Sequence, residues 1–231
     1  MSTKKTDTTI RVRNAQATRE RILLTAYKEF AARGYDGARI DAIVARCKIS
    51  KNLLYHYFEG KEALFIEVME RAYRAMREHQ NELALTGEDP IADMRALVIQ
   101  TIEYFIEQPG FMQLLSTENL HKARHIKKSR AITEMFNPLR SALADILQKG
   151  KDKGVFRKDA DWIDLYVSIS GLGSYFITNR YTLSYVLGVD IGAPERVAGR
   201  LKHAPDMVLS YLCDLSGDSL GSSPRCSSST S

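Results

Sequence analysis

Apolar residues recur along this chain with the period of an α-helix and nowhere alternate in the two-residue rhythm of a half-buried strand, which restricts the fold to an all-α one. From Arg19 to Arg33, the residues Ile22, Leu23, Ala26, Tyr27, Phe30 and Ala31 make one stripe, with Gly34 placed as a left-handed stop. Ile40, Ile43, Val44 and Cys47 fall at i, i+3, i+4, i+7 and predict a short second helix, with Asp41 near its positive N-terminal end. A break from Lys48 to Lys51 follows. Leu53, Leu54, Tyr57 and Phe58 then mark a third helix, with Ser50 as its N-cap and Gly60 beyond its end. A long fourth helix is expected from Lys61 to about Leu85, ended by Gly87 and Pro90. Further amphipathic segments lie at roughly 91–107, 110–121, 127–149, 160–182 and 195–214, with Pro205 starting or bending the last. The expectation is nine or ten helices joined by short connections.

Charge is distributed unevenly along this helical frame. Residues 1–60 carry twelve Lys/Arg against six Asp/Glu, while residues 61–231 are close to balanced, at 21 against 22. A basic excess confined to one end is the electrostatic footprint expected for a polyanion such as nucleic acid, and equally of a solvated basic tail. Residues 1–14 lack an apolar period and read as a flexible basic arm; residues 216–231, rich in Ser and Gly, read as a disordered tail. No hydrophobic run reaches the roughly 20 residues that span a bilayer, and the N-terminus lacks a secretory signal, so a cytoplasmic protein without a membrane partner is expected. Cys47, Cys213 and Cys226 lie far apart, with neither disulfide nor zinc spacing. They read as reduced thiols.

The second and third helices, joined by about four residues, have the form of a helix-turn-helix whose second member enters a major groove about 12 Å wide. Leu54 and Phe58 point inward in this reading, leaving Ser50, Lys51, Asn52, Tyr55, His56 and Tyr57 to crowd donors and aromatic surface onto barely two turns. From Arg21 to Phe65 the chain carries Ile-Leu-x-x-Ala, Phe-Ala-x-x-Gly-Tyr-Asp-Gly, Ile-x-x-Ile-Val, Ile-Ser-Lys, Leu-Tyr-His-Tyr-Phe and Gly-Lys-Glu-Ala-Leu-Phe. This stretch resembles the DNA-binding domain of the TetR family. The resemblance implies a three-helix DNA-binding domain over 15–62, followed over 63–215 by a larger helical effector-binding and dimerisation domain. It also implies a homodimer on a palindromic operator in double-stranded DNA, released by a small-molecule effector. Carried over by motif, Lys51, Asn52 and Tyr55 fall nearest base edges, with Ser50, His56, Tyr57 and Lys61 on phosphates.

Three positions depart from the family pattern. Ala38-Arg39 replaces a frequent Thr-Thr, removing a hydroxyl cap and supplying a cation that could reach a phosphate. Lys48 stands where the turn often has Gly, and Asn52-Leu53 replaces a more usual Gly-Thr, so the operator sequence cannot be inherited. On the helices that the resemblance places around an effector, Tyr104, Phe111, Met112, Asn119, Phe136, Trp162 and Tyr166 are the candidate contacts; an aromatic lining with few charges points to an apolar or aromatic effector. Small residues at Ser168, Ser170, Gly171, Gly173 and Ser174 suit a dimer seam or a narrow pocket wall; the resemblance favours the seam, with Val208, Tyr211 and Leu212 facing the partner.

Glu118, His121 and His125 have a spacing that could hold a metal, but Lys122, Arg124, Lys127 and Lys128 surround them with repelling charge, and neither metal nor cofactor is expected. No nucleophile elbow or phosphate loop is present, and Cys47 lies on an apolar stripe, so an enzyme is not expected. Two alternatives stand beside the regulator: a DNA-binding protein without effector control, and a helical protein that binds only a small molecule.

Overall fold

The computed structural model describes residues 3–83 and 85–213, with side chains from residue 14 onward in that range. Among them are ten α-helices and one 3-10 turn. The helices are α1 (Thr3–Gly37), α2 (Ile40–Cys47), α3 (Lys51–Tyr57), α4 (Lys61–Asn81), α5 (Pro90–Glu107) and α6 (Pro109–Leu120), then α7 (Arg130–Asp152), α8 (Trp162–Thr178), α9 (Arg180–Leu187) and α10 (Pro194–Cys213). The proposed tail at 216–231 lies outside the described residues. Helical backbone begins at Thr3, upstream of the start read from the apolar stripe, because a missing stripe removes a packing face without forbidding the helix.

By compactness the chain forms two units, one of Met1–Asn81 with Tyr104–Asn137 and one of Glu82–Glu103 with Pro138–Ser231. The expected 15–62 segment lies wholly within the first. There α1 is interrupted at Gly34, whose φ of 66° ends the stripe as anticipated. Its face buries Ile22, Ala26 and Phe30 completely, and Phe30 meets Phe65 of α4 edge to face with ring centres 4.9 Å apart. Ile43 of α2 and Leu54 of α3 fill the same core with no exposed surface. Reciprocal ion pairs, Arg19 with Glu67 and Arg71 with Glu20, tie α1 to α4 at the surface. Pro109 occupies the first turn of α6, where its missing N–H costs nothing. That helix packs on α1 so closely that a side chain at Gly110 would meet the Tyr27 hydroxyl at 2.7 Å.

Carboxylates that accept loop and helix N–H groups, one of them buried, organise the second unit. Asp93, 5% exposed, accepts from the backbone N–H groups of Thr86 and Gly87 at 3.1 and 2.8 Å. Asp161 caps α8 by accepting from Ile163 and Asp164. Arg200 of α10 donates through Nε to the Leu172 carbonyl of α8 at 3.0 Å, joining the two helices side by side. α9 is a separate helix that sequence reading had merged into the 160–182 segment and the loop after it. Pro205 lies inside α10, fully buried, so the helix neither starts nor stops there.

Candidate nucleic-acid interface

The α2–α3 pair owes its geometry to three local devices. Arg39 opens α2 with extended backbone and no cap from its own side chain; instead, Glu29 of α1 reaches across and accepts the Arg39 N–H at 3.4 Å. The Glu29 carboxylate is 1% exposed and also pairs with Arg46 and, at 3.3 Å, with Arg33. A buried carboxylate on a neighbouring helix thus serves the N–H of the N-cap residue, the donor that the Glu or Gln of a capping box would take, and not the N2 or N3 donors that a cap hydroxyl serves. At the turn, Lys48 takes the left-handed conformation (φ 52°, ψ 47°), where a side chain is strained and glycine is not. Because the Lys48 side chain is exposed, Lys48→Gly should stabilise the protein by about 0.5–1 kcal/mol, read as a rise in thermal midpoint. Ser50 then caps α3, its hydroxyl oxygen accepting the Leu53 N–H at 3.1 Å.

With that cap in place, α3 divides into two faces. Leu54 and Phe58 are buried, at 0% and 2% exposure, while Ser50, Lys51, Asn52, Tyr55 and His56 are exposed and Tyr57 is half-buried against the His56 ring. Leu53 also faces outward. The Lys51 ammonium lies 2.9 Å from an Asp41 oxygen, linking the first turns of α2 and α3. That contact holds its pKa above the usual lysine range, chiefly through the hydrogen bond to Asp41. Lys61, at the start of α4, rests its ammonium 4.9 Å from the centre of the Tyr35 ring and donates to the Asp36 carbonyl at 3.3 Å. Arg39 is exposed at the start of α2.

The candidate effector residues divide between the two units. In the first, Tyr104 and Phe111 touch at 5.8 Å, both buried, with Met112 buried on the same helix as Phe111. Tyr73 and His79 of α4 join this cluster, at 5.5 Å from Phe111 and 5.3 Å from Tyr104. Neither is among the effector contacts expected from the sequence. Burial raises the Tyr104 hydroxyl far above the ordinary tyrosine range, so it stays a donor. Asn119 points to solvent and donates back to the Leu115 carbonyl, and Phe136 is half-buried beneath the Arg77 guanidinium. Trp162 and Tyr166 belong to the second unit, half-buried on α8, with Arg140 stacked 5.2 Å from the Trp162 ring.

Glu118 and the two histidines near it form a structural knot. Glu118 and His125 are 2% and 0% exposed; one Glu118 oxygen lies 2.7 Å from His125 Nδ1, and the other accepts the backbone N–H groups of His125 and Ile126 at 2.7 and 3.0 Å. His121 reaches Asp36 at 3.3 Å and sets its ring edge-on to that of His125, with centres 5.4 Å apart. Lys122 and Ala123, both left-handed, bend the chain back so that Glu118 can reach these donors. Glu118→Ala leaves a buried ring nitrogen and two buried N–H groups unpaired, and should cost about 3–5 kcal/mol in urea unfolding.

Of the three α10 residues expected to face a partner, Tyr211 is exposed and Val208 and Leu212 are not. Val208 and Leu212 are buried in the unit's own core, at 4% and 0%, because they continue the inward stripe of Ala204 and Pro205. Met207 and Tyr211, one position earlier in the turn, are the outward pair, at 46% and 45%. With Ile163, Val167 and Tyr175 of α8 they make an exposed apolar face. A groove of about 690 Å³ runs through it, lined by Ser168, Gly171, Leu172, Tyr175, Met207 and Tyr211 among others. A side chain at Gly171 would meet open space.

Two family models match this arrangement: "Bacterial regulatory proteins, tetR family" over residues 22–68, spanning every candidate DNA contact, and "Tetracyclin repressor-like, C-terminal domain" over residues 90–208. The chain belongs to the TetR family. It is 34% identical over 209 residues to the HTH-type transcriptional repressor NicS of Pseudomonas putida, covering 90% of this chain and 98% of that protein. It is 28% identical over 127 residues to the HTH-type transcriptional repressor NemR of Escherichia coli K12, covering 54% of this chain and 59% of that one. Among solved structures, the putative transcriptional regulator SCO4942 of Streptomyces coelicolor is similar, with TM-score 0.66 and 24% identity over 84% of this chain and 98% of that one. A regulatory protein of the TetR family from Rhodococcus RHA1 has TM-score 0.67 at 14% identity, over 84% and 96%. At these identities the structural likeness establishes the fold. Membership makes the protein a DNA-binding transcriptional regulator built on a helix-turn-helix. No described helix is long and apolar enough to cross a membrane.

Proposed function

We propose that this protein is a cytoplasmic transcriptional repressor that grips a palindromic operator as a homodimer and lets go when a small aromatic or apolar effector binds. The observation that carries the reading is the division of α3, in which Leu54 and Phe58 anchor the helix while Lys51, Asn52, Tyr55 and His56 remain in solvent. An exposed tyrosine beside an asparagine suits base edges: the ring lies on a thymine methyl, and the amide pairs with adenine. Ser50, Tyr57, Lys61 and Arg39 flank that face and suit phosphates, which fix position without reading sequence. The open apolar face of α8 and α10 supports self-association, since a two-fold seam buries the same patch on both copies. The buried cluster of Tyr73, Tyr104 and Phe111 supports an aromatic or apolar effector.

Release follows from linkage. Two α3 helices must sit about 34 Å apart, or a multiple of that, to enter successive major grooves on one side of the duplex. An effector that binds a mismatched state tenfold better shifts the equilibrium by about 1.4 kcal/mol. The similar protein NicS is a transcriptional repressor, which favours repression over activation. Selection of bound duplexes from a random pool tests the reading: the expected product is an inverted repeat with half-sites about one helical turn apart, released by members of an aromatic compound panel. A pool that never converges on a shared sequence would overturn it.

A further inference from the structure

Lys51 is assigned above to base edges, but Asp41, which it meets, has no part in that assignment. Asp41 is 76% exposed and Lys51 48%, and they meet at 2.9 Å across the first turns of two different helices. An exposed pair of this kind adds little to stability, so packing does not explain a carboxylate on a face that must approach phosphates. A free lysine at the first position of a recognition helix swings on a four-carbon stem and settles on whichever phosphate is nearest, which adds affinity without information. Held by a carboxylate, the same ammonium presents its remaining donors in one direction.

We propose that Asp41 is a specificity-determining residue: it tethers Lys51 over a G·C base pair in each half-site and withholds it from the phosphates. The pairing chemistry fits, since a lysine ammonium donates to guanine O6 and N7, and an aspartate oxygen accepts from the cytosine N4 amino group. The proposal rests on the reading that α3 lies in the major groove.

The test uses the full-length dimer, an operator selected by the unmodified protein, and a scrambled duplex of equal length. Asp41→Asn should bind the scrambled duplex about tenfold more tightly, and the slope of log affinity against log salt on that duplex should steepen by about two, the signature of one more phosphate contact from each subunit of the dimer. Against a panel of single base-pair changes, Asp41→Asn should lose about tenfold discrimination at one G·C pair per half-site and keep it elsewhere. Lys51→Met should lose the same discrimination without the gain on scrambled DNA, and adding Asp41→Asn to Lys51→Met should change neither. If Asp41→Asn tightens scrambled binding equally in the Lys51→Met background, simple charge repulsion accounts for the effect and the tether is refuted. An unchanged base panel in Asp41→Asn likewise refutes it. If the unmodified protein selects no operator at all, the groove reading falls, and the Asp41 assignment falls with it.

Discussion

The double variant Tyr55→Ala, Lys61→Ala will lose operator affinity by about a thousandfold while keeping its helical content and its oligomeric mass. A single base contact is worth about 1–3 kcal/mol, and a symmetric dimer loses each contact twice, so Tyr55 alone accounts for about thirtyfold or more. Lys61 adds an electrostatic share. Its ammonium lies over the Tyr35 ring and on the Asp36 carbonyl, at the N-terminus of α4 where the helix dipole also favours an anion. Both side chains touch solvent, so their removal leaves the Phe30, Leu54 and Phe65 core intact. Footprinting over a protein titration checks the result; protection of the same base pairs at the same concentration would show that α3 is not the reading helix.

Charge placed on α8 should have an effect of similar size by a different route. Val167 and Tyr175 are 61% and 60% exposed, two turns apart on one face. The pair Val167→Glu, Tyr175→Glu puts four carboxylates into a two-fold seam, where each faces apolar surface or its own copy, and burying unpaired charge costs several kcal/mol. The expected outcome at micromolar concentration is a folded monomer by sedimentation, with operator affinity down at least a hundredfold because one recognition helix must now hold alone. A variant that still sediments as a dimer would move the interface away from α8.

Sequence periodicity located the helix-turn-helix almost to the residue. Every signal there is local: Gly34 as a stop, Ser50 as a cap, and an i, i+4 stripe from Leu54 to Phe58. What escaped were features that depend on a partner distant in sequence. Glu29 gives no sign that it will serve Arg39 ten positions on. Glu118 and His125 share a spacing that suits a metal as well as a hydrogen-bonded knot, and only the left-handed pair at Lys122 and Ala123 decides between them. α9 was missed because it follows α8 across Asn179 with neither glycine nor proline to mark the break. In α10 a stripe and its neighbour differ by one position, too fine a distinction for spacing to part inward Val208 and Leu212 from outward Tyr211 or to single out Met207. The effector residues were the least legible, since aromatic side chains serve a core and a binding wall equally well.

The debt of α2 to Glu29 limits how the reading head can be moved. A segment from Ala38 to Phe58 grafted onto another scaffold would arrive without the carboxylate that starts its first helix and without Phe30 and Phe65, which underlie the fold beneath it. The smallest portable piece therefore runs from α1 into α4, and chimaeras between relatives should be spliced beyond α4 rather than at the turn.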